Sequence, residues 1–203
     1  MSKGSFWKAD EIKRIVVIGA SIGGIDALIR VVSGLETNLP IAVLVVQHLQ
    51  KVDEPTQLPA ILKRHTSMNV CLAAGGTMIR NGTIYVAEPG KHLCVKGQRL
   101  DNYDGEPVNH VKPSADVLFA SVAEEFGCKT IGVVLTGTGK DGTQGCRHIK
   151  VAGGITIAQN RETSAFFNMP ESAIKNNVID FVLPLSTIPR KIRELAVDPD
   201  EDA

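Results

Sequence analysis

The chain has 203 residues, 43% of them hydrophobic, and a domain of this length buries roughly 70% of its unfolded surface around a single core. Acidic and basic residues balance at 22 each, which excludes a global field toward nucleic acid or an anionic membrane and leaves any charged partner to a local patch. Cys71, Cys94, Cys128 and Cys146 stand singly, without the pairing of a disulfide framework or zinc site; the N-terminus is polar, and no stretch reaches the ~18 apolar residues of a membrane span. The expectation is a protein of the cytoplasm with reduced, mostly buried thiols and no direct membrane insertion.

In chain order, apolar runs rich in Val and Ile predict strands at RIVVIGA (14–20), IAVLVV (41–46), TIGVVLT (130–136), ITIAQ (155–159) and FVLP (181–184). Helical patterns lie between them at 24–33, 56–65, 114–126, 142–151, 170–176 and 187–196, with Pro113-Ser114 and Met169-Pro170 reading as helix starts. The stretch 82–103 alternates with period two around Glu88-Pro89-Gly90 and predicts an antiparallel hairpin. Together these elements predict an α/β fold: a doubly wound, mostly parallel sheet flanked by helices in a Rossmann-like three-layer architecture, with a β-hairpin insertion. Residues 1–12 read as a disordered leader, 13–197 as one domain and 198–203 as an acidic tail.

Ligands of such sheets bind outside the carboxyl ends of the strands, so the strand ends form a search list. The first strand runs into Gly19-Ala20-Ser21-Ile22-Gly23-Gly24, the second into Gln47-His48, and the strand at 130–136 into Thr136-Gly137-Thr138-Gly139-Lys140-Asp141-Gly142. A hydroxyl, an imidazole and a carboxylate, the parts of an acyl-transfer triad, thus leave three strands at one edge. Gly-x-Ser-x-Gly makes a tight turn into a helix whose free amides, that of Ile22 first, can hold an oxyanion. Taken alone, the turn also reads as a plain glycine-rich connection, and Asp141 as a helix N-cap.

Of five histidines only His48 directly ends a buried strand; His65, His92, His110 and His148 fall in a helix pattern, the hairpin, a loop and a helix. The glycines of TGTGKDG lack the spacing of a phosphate loop. Arg161-Glu162-Thr163 with Phe166-Phe167 follows a strand on the same edge, and reads either as a groove wall or as a packed loop with two core phenylalanines. Two further readings stand beside a hydrolase: a dinucleotide-binding module, for which Gln47-His48 replaces the expected ribose-holding acid, and a noncatalytic receptor-binding scaffold.

The spaced motifs IGASIGG, VVQH, PVNHVKPSADVLFASVA (107–123), GVVLTGTGKDG and AQNRETSAFFNMPESAI (158–174) resemble the catalytic domain of the chemotaxis protein-glutamate methylesterase family, CheB. The resemblance covers about residues 14–195. It implies hydrolysis of γ-glutamyl methyl esters, and deamidation of glutamines, on the cytoplasmic helical bundle of methyl-accepting chemoreceptors. By that similarity Ser21 is the nucleophile, His48 the general base and acid, Asp141 the orienting carboxylate, and the Thr138 N–H an oxyanion donor, with no cofactor and no metal. Three positions depart from the family's usual residues: Ile22 for Thr or Ala, Thr138 for Met, and Lys112 for Arg before Pro113-Ser114. Many members carry an N-terminal receiver domain; with 13 residues before the first strand, the expectation here is a stand-alone, constitutively open form.

Overall fold

The computed structural model describes residues 12–49 and 56–197. Seven strands form one parallel sheet: β1 (Arg14–Ala20), β2 (Ile41–Gln47), β3 (Asn69–Leu72), β4 (Thr83–Val86), β7 (Thr130–Val134), β8 (Ile155–Gln159) and β9 (Phe181–Leu183). Their order is β3-β4-β2-β1-β7-β8-β9, and β5 (His92–Lys96) pairs antiparallel with β6 (Arg99–Tyr103) in a separate ribbon.

The central strands are apolar over most of their length because both their faces are covered. Along β1, Val16, Ile18 and Ala20 enter a core shared with helices α1 (Gly24–Val32), α2 (Leu58–Lys63) and α6 (Ile188–Ala196). The intervening Ile15 and Val17 enter a second core with α3 (Ala115–Phe126), α4 (Thr143–Val151), α5 (Asn168–Lys175) and the ribbon. The predicted three layers are therefore present.

The 82–103 region departs from its expected form. Thr83–Val86 is buried throughout and pairs in parallel with both β2 and β3, so it belongs to the main sheet. The hairpin is confined to β5 and β6 and turns at Gly97-Gln98, both with positive φ, instead of at Glu88-Pro89-Gly90. Period two was a sound sign of strand but carried no information on which sheet each strand joins. Strand β3 was not foreseen; it is short, mostly exposed and at the sheet edge.

Residues 1–11 and 198–203, read from sequence as disordered, lie outside the described residues, whereas Ile12, placed in the same leader, is buried. All four cysteines are free, but only Cys94 and Cys146 are buried. Cys71 sits on edge strand β3 and Cys128 in the turn after α3, so the expectation of mostly buried thiols holds for half of them. Among the described residues no helix is long and apolar enough to cross a membrane.

Candidate active site

The sheet order changes direction at β1, which lies between β2 and β7, so the crevice expected of this fold opens beyond those three strand ends. β1 and β2 stay in register to the pair Ala20 and Gln47, and Ser21 and His48 therefore leave the sheet side by side. The His48 N–H donates to the Ala20 carbonyl (2.9 Å) and the Ser21 N–H to that of Thr136 (3.0 Å), which ties the exits of β1, β2 and β7 together.

Ser21 is 8% exposed at the start of the turn into α1. The left-handed conformation falls on Gly23 (φ 76°), the N-cap of α1, and not on the serine. A side chain at Gly23 would meet both that backbone and the Ala165 Cβ, 2.9 Å away, so the turn requires glycine there. Ile22, by contrast, is 50% exposed. Among the described residues the backbone N–H groups of Ile22, in the turn after β1, and Thr138, in the loop after β7, have no hydrogen-bond partner.

His48 Nε2 and Asp141 Oδ2 are 2.9 Å apart. Asp141 is nearly buried and surrounded by donors: the Ser114 hydroxyl at 2.7 Å, the Ala115 N–H at 2.6 Å and the Asp116 N–H at 3.2 Å. Burial alone would raise its carboxyl, but the hydrogen bonds from His48, Ser114 and Ala115 together hold it below the ordinary carboxylate range. The result is an ionised carboxylate locked against an imidazole. Asp141 is not the N-cap of the helix it precedes, since Gly142 holds that position before α4 with no side-chain cap; its carboxylate instead accepts the first N–H of α3.

Several residues not singled out from sequence hold this arrangement. The Gln47 amide donates to the carbonyls of Ser21 (2.8 Å) and His48 (3.1 Å) from a buried side chain, so the strand end at which a dinucleotide fold holds the ribose presents neither an acid nor an exposed Gln47. Gln159 plays the corresponding part at the end of β8, accepting from the Thr136 N–H and donating to the Thr163 carbonyl. A polar residue closing a buried strand is the signal that marks both glutamines. Asn109, Ser114 and Asp116 carried no such signal, because the sequence does not show what they face.

The Thr136 hydroxyl bonds to the Ile22 and Phe166 carbonyls and accepts the Phe166 N–H, which fastens the 160–167 loop beside the serine. Phe166 is 42% exposed and Phe167 lies under the Arg161 guanidinium, 4.4 Å from its ring centre, so neither is a core residue. His92 is buried, with its nitrogens bonded to the Glu106 carbonyl and the Ser114 N–H. A cavity of about 570 Å³ lined by Pro107, Asn109, His110, Gly139 and Lys140 adjoins Asp141. Among the described residues no group of three or more His, Cys, Asp and Glu side chains could hold a metal ion.

The family model described as CheB methylesterase matches residues 16–192. A protein-glutamate methylesterase/protein-glutamine glutaminase 2 of Anaeromyxobacter dehalogenans is 41% identical over 182 residues, covering 89% of this chain and 53% of the relative. A protein-glutamate methylesterase/protein-glutamine glutaminase of Thermotoga maritima is 38% identical over 188 residues, covering 90% and 54%. The crystal structure of the Thermotoga maritima CheB methylesterase catalytic domain superposes with a TM-score of 0.86 at 35% identity, covering 90% of this chain and 98% of that one. The chain spans about half the length of the curated relatives it matches.

Proposed function

Because the chain belongs to the CheB methylesterase family, we propose that it hydrolyses glutamyl methyl esters, and deamidates particular glutamines, on the cytoplasmic helical bundle of chemoreceptors. Residues 13–197 form the catalytic domain in this reading, and the protein works in the cytoplasm, where that bundle lies. The observation that carries the proposal is the 2.9 Å contact between His48 and a buried, ionised Asp141, one residue beyond the strand pairing that brings His48 beside Ser21.

In the reaction, Ser21 Oγ attacks the carbonyl carbon while His48 takes its proton. Asp141 occupies Nε2, so Nδ1 is the nitrogen left to act as the base. Asp141 fixes the ring and stabilises the imidazolium, and the N–H groups of Ile22 and Thr138 receive the oxyanion. Collapse of the tetrahedral intermediate breaks the bond to the leaving group, which takes the proton from His48 and departs as methanol, or as ammonia from a glutamine. A water deprotonated by His48 then attacks the acyl-serine, and the second tetrahedral intermediate collapses by breaking the bond to Ser21 Oγ, which takes the proton back from His48 as glutamate is released. Every proton transfer is assigned to a side chain of this protein, so the scheme calls for no cofactor.

Incubation with receptor membranes carrying radiolabelled methyl esters tests the proposal. Methanol release by the parent and none by Ser21→Ala is the expected result; equal release by both would overturn it.

A further inference from the structure

The segment Pro107–Val111 reaches back over the site, and its tip has a conformation that demands explanation. Val108 and Val111 exchange backbone hydrogen bonds (3.1 and 3.0 Å) around Asn109 and His110, whose φ angles are 51° and 65°. Two successive positive φ values are the mark of a tight two-residue hairpin turn, and asparagine is among the few residues that enter it at small cost. The turn accounts for the residue type. It does not account for the direction of the side chain, whose Nδ2 donates to Asp116 Oδ2 at 2.7 Å and lies 3.4 Å from Asp141 Oδ1.

Asp116 closes a ring around Asp141. Its N–H donates to Asp141 Oδ1, and its carboxylate accepts the N–H of Gly145 at 2.7 Å, in the first turn of the helix that follows Asp141. The segment bearing Asp141 is thereby gripped in front and behind by a single residue. Two nearly buried carboxyls so placed repel each other: burial pushes the Asp116 carboxyl up, and the nearby Asp141 adds to the shift. A neutral amide donating to both holds them together without bringing a third charge. The charged and titratable groups around it are Asp116, Asp141 with its partner His48, and along the adjoining cavity His110 and Lys140.

We propose that Asn109, acting with Asp116, is a positioning residue for Asp141: its amide bridges the two carboxylates and so sets the contact between Asp141 and His48. The inference rests on the roles given above to Ser21, His48 and Asp141.

The test separates the turn from the bridge. Asn109→Gly keeps the turn and deletes the amide, whereas Asn109→Asp keeps the turn and replaces a donor with an acceptor. Both are expected to keep a KM near the parent's while kcat falls by roughly ten- to a hundredfold, and to lower the urea midpoint, Asn109→Asp the more because it sets a third carboxyl against two. In Asn109→Asp, the ratio of kcat to the parent's at the same pH is expected to rise as pH is lowered from about 8 to about 6, because the protonated new carboxyl donates again. A purely structural role for the turn would not produce that rise. Asp116→Asn leaves the turn alone, confronts the Asn109 amide with a second donor, and is expected to show the same fall in kcat if either turn variant fails to fold.

The proton shared by His48 and Asp141, followed by NMR without substrate, provides a readout independent of the proposed activity. It is expected to move upfield or broaden in Asn109→Gly. An unchanged resonance with unchanged kcat, or a flat pH ratio in Asn109→Asp, would overturn the inference; a parent that shows the resonance but releases no methanol would count against the proposed activity instead.

Discussion

Asp141 accepts the backbone N–H of Ala115 at 2.6 Å, so the carboxylate that holds His48 is also the cap of helix α3. Ser114, the N-cap residue of α3 by position, makes no side-chain cap bond of its own and donates its hydroxyl to Asp141 instead. One buried charge therefore serves the imidazole and the positive end of a helix at once.

Replacing Asp141 by Asn is expected to affect both partners. The helix loses a charged cap, at a cost of about 1–2 kcal/mol in urea unfolding. By analogy with other triads, kcat should fall by roughly 10⁴-fold, leaving measurable turnover, because the residue orients the imidazole without bonding to substrate.

The pH dependence of stability distinguishes the two buried carboxyls. Asp141 has a lowered folded value, so its stabilisation is present above the unfolded value and is lost as pH falls through the folded one. Asp116 has a raised folded value, so its contribution is present below the unfolded value and is lost as pH rises through the folded one. Urea titrations between pH 7 and 3 should therefore show that Asp141→Asn weakens the loss of stability on acidification, whereas Asp116→Asn steepens it. Parallel curves for the two variants would contradict these assignments.

Within the triad, Ser21→Ala is expected to lower kcat by about a million-fold while the protein stays folded, with His48→Ala nearly as damaging. A shallow effect at His48 combined with a deep one at His65, His92, His110 or His148 would identify a different base. His92 is the instructive control, since its buried ring supports the start of α3 and its loss should lower thermal stability more than turnover.

Gln47→Leu keeps the approximate volume of the side chain but withdraws donors from the Ser21 and His48 carbonyls. Chemical denaturation should register a loss of about 1–3 kcal/mol. Methanol release should fall as well, since the two exits are no longer pinned at their present separation.

Chelation provides a simpler check. EDTA is expected to leave methanol release unchanged, and calorimetry with NAD to show no heat of binding. Activity lost to EDTA and restored by a divalent ion would require another source of activated water.

The sequence by itself determined where the buried strands lie and which side chains leave their ends. A strand covered on both faces must be mostly apolar, and β1, β2, β7 and β8 are, with Arg14, Gln47, Thr130 and Gln159 at their ends and only Thr156 polar within. Alternation with helices then makes the sheet parallel, and a parallel sheet delivers Ser21, His48 and Asp141 to one edge. Tertiary structure alone decided that Thr83–Val86 joins that sheet, because a local period reports burial and not the neighbouring strand. It alone decided that Asp141 caps α3 and that Asn109 spans two carboxylates, since those bonds cross 7 to 32 residues of chain and exist only where α3 packs against α4. Residue type announces that a side chain can donate or accept; only packing brings its partner within reach.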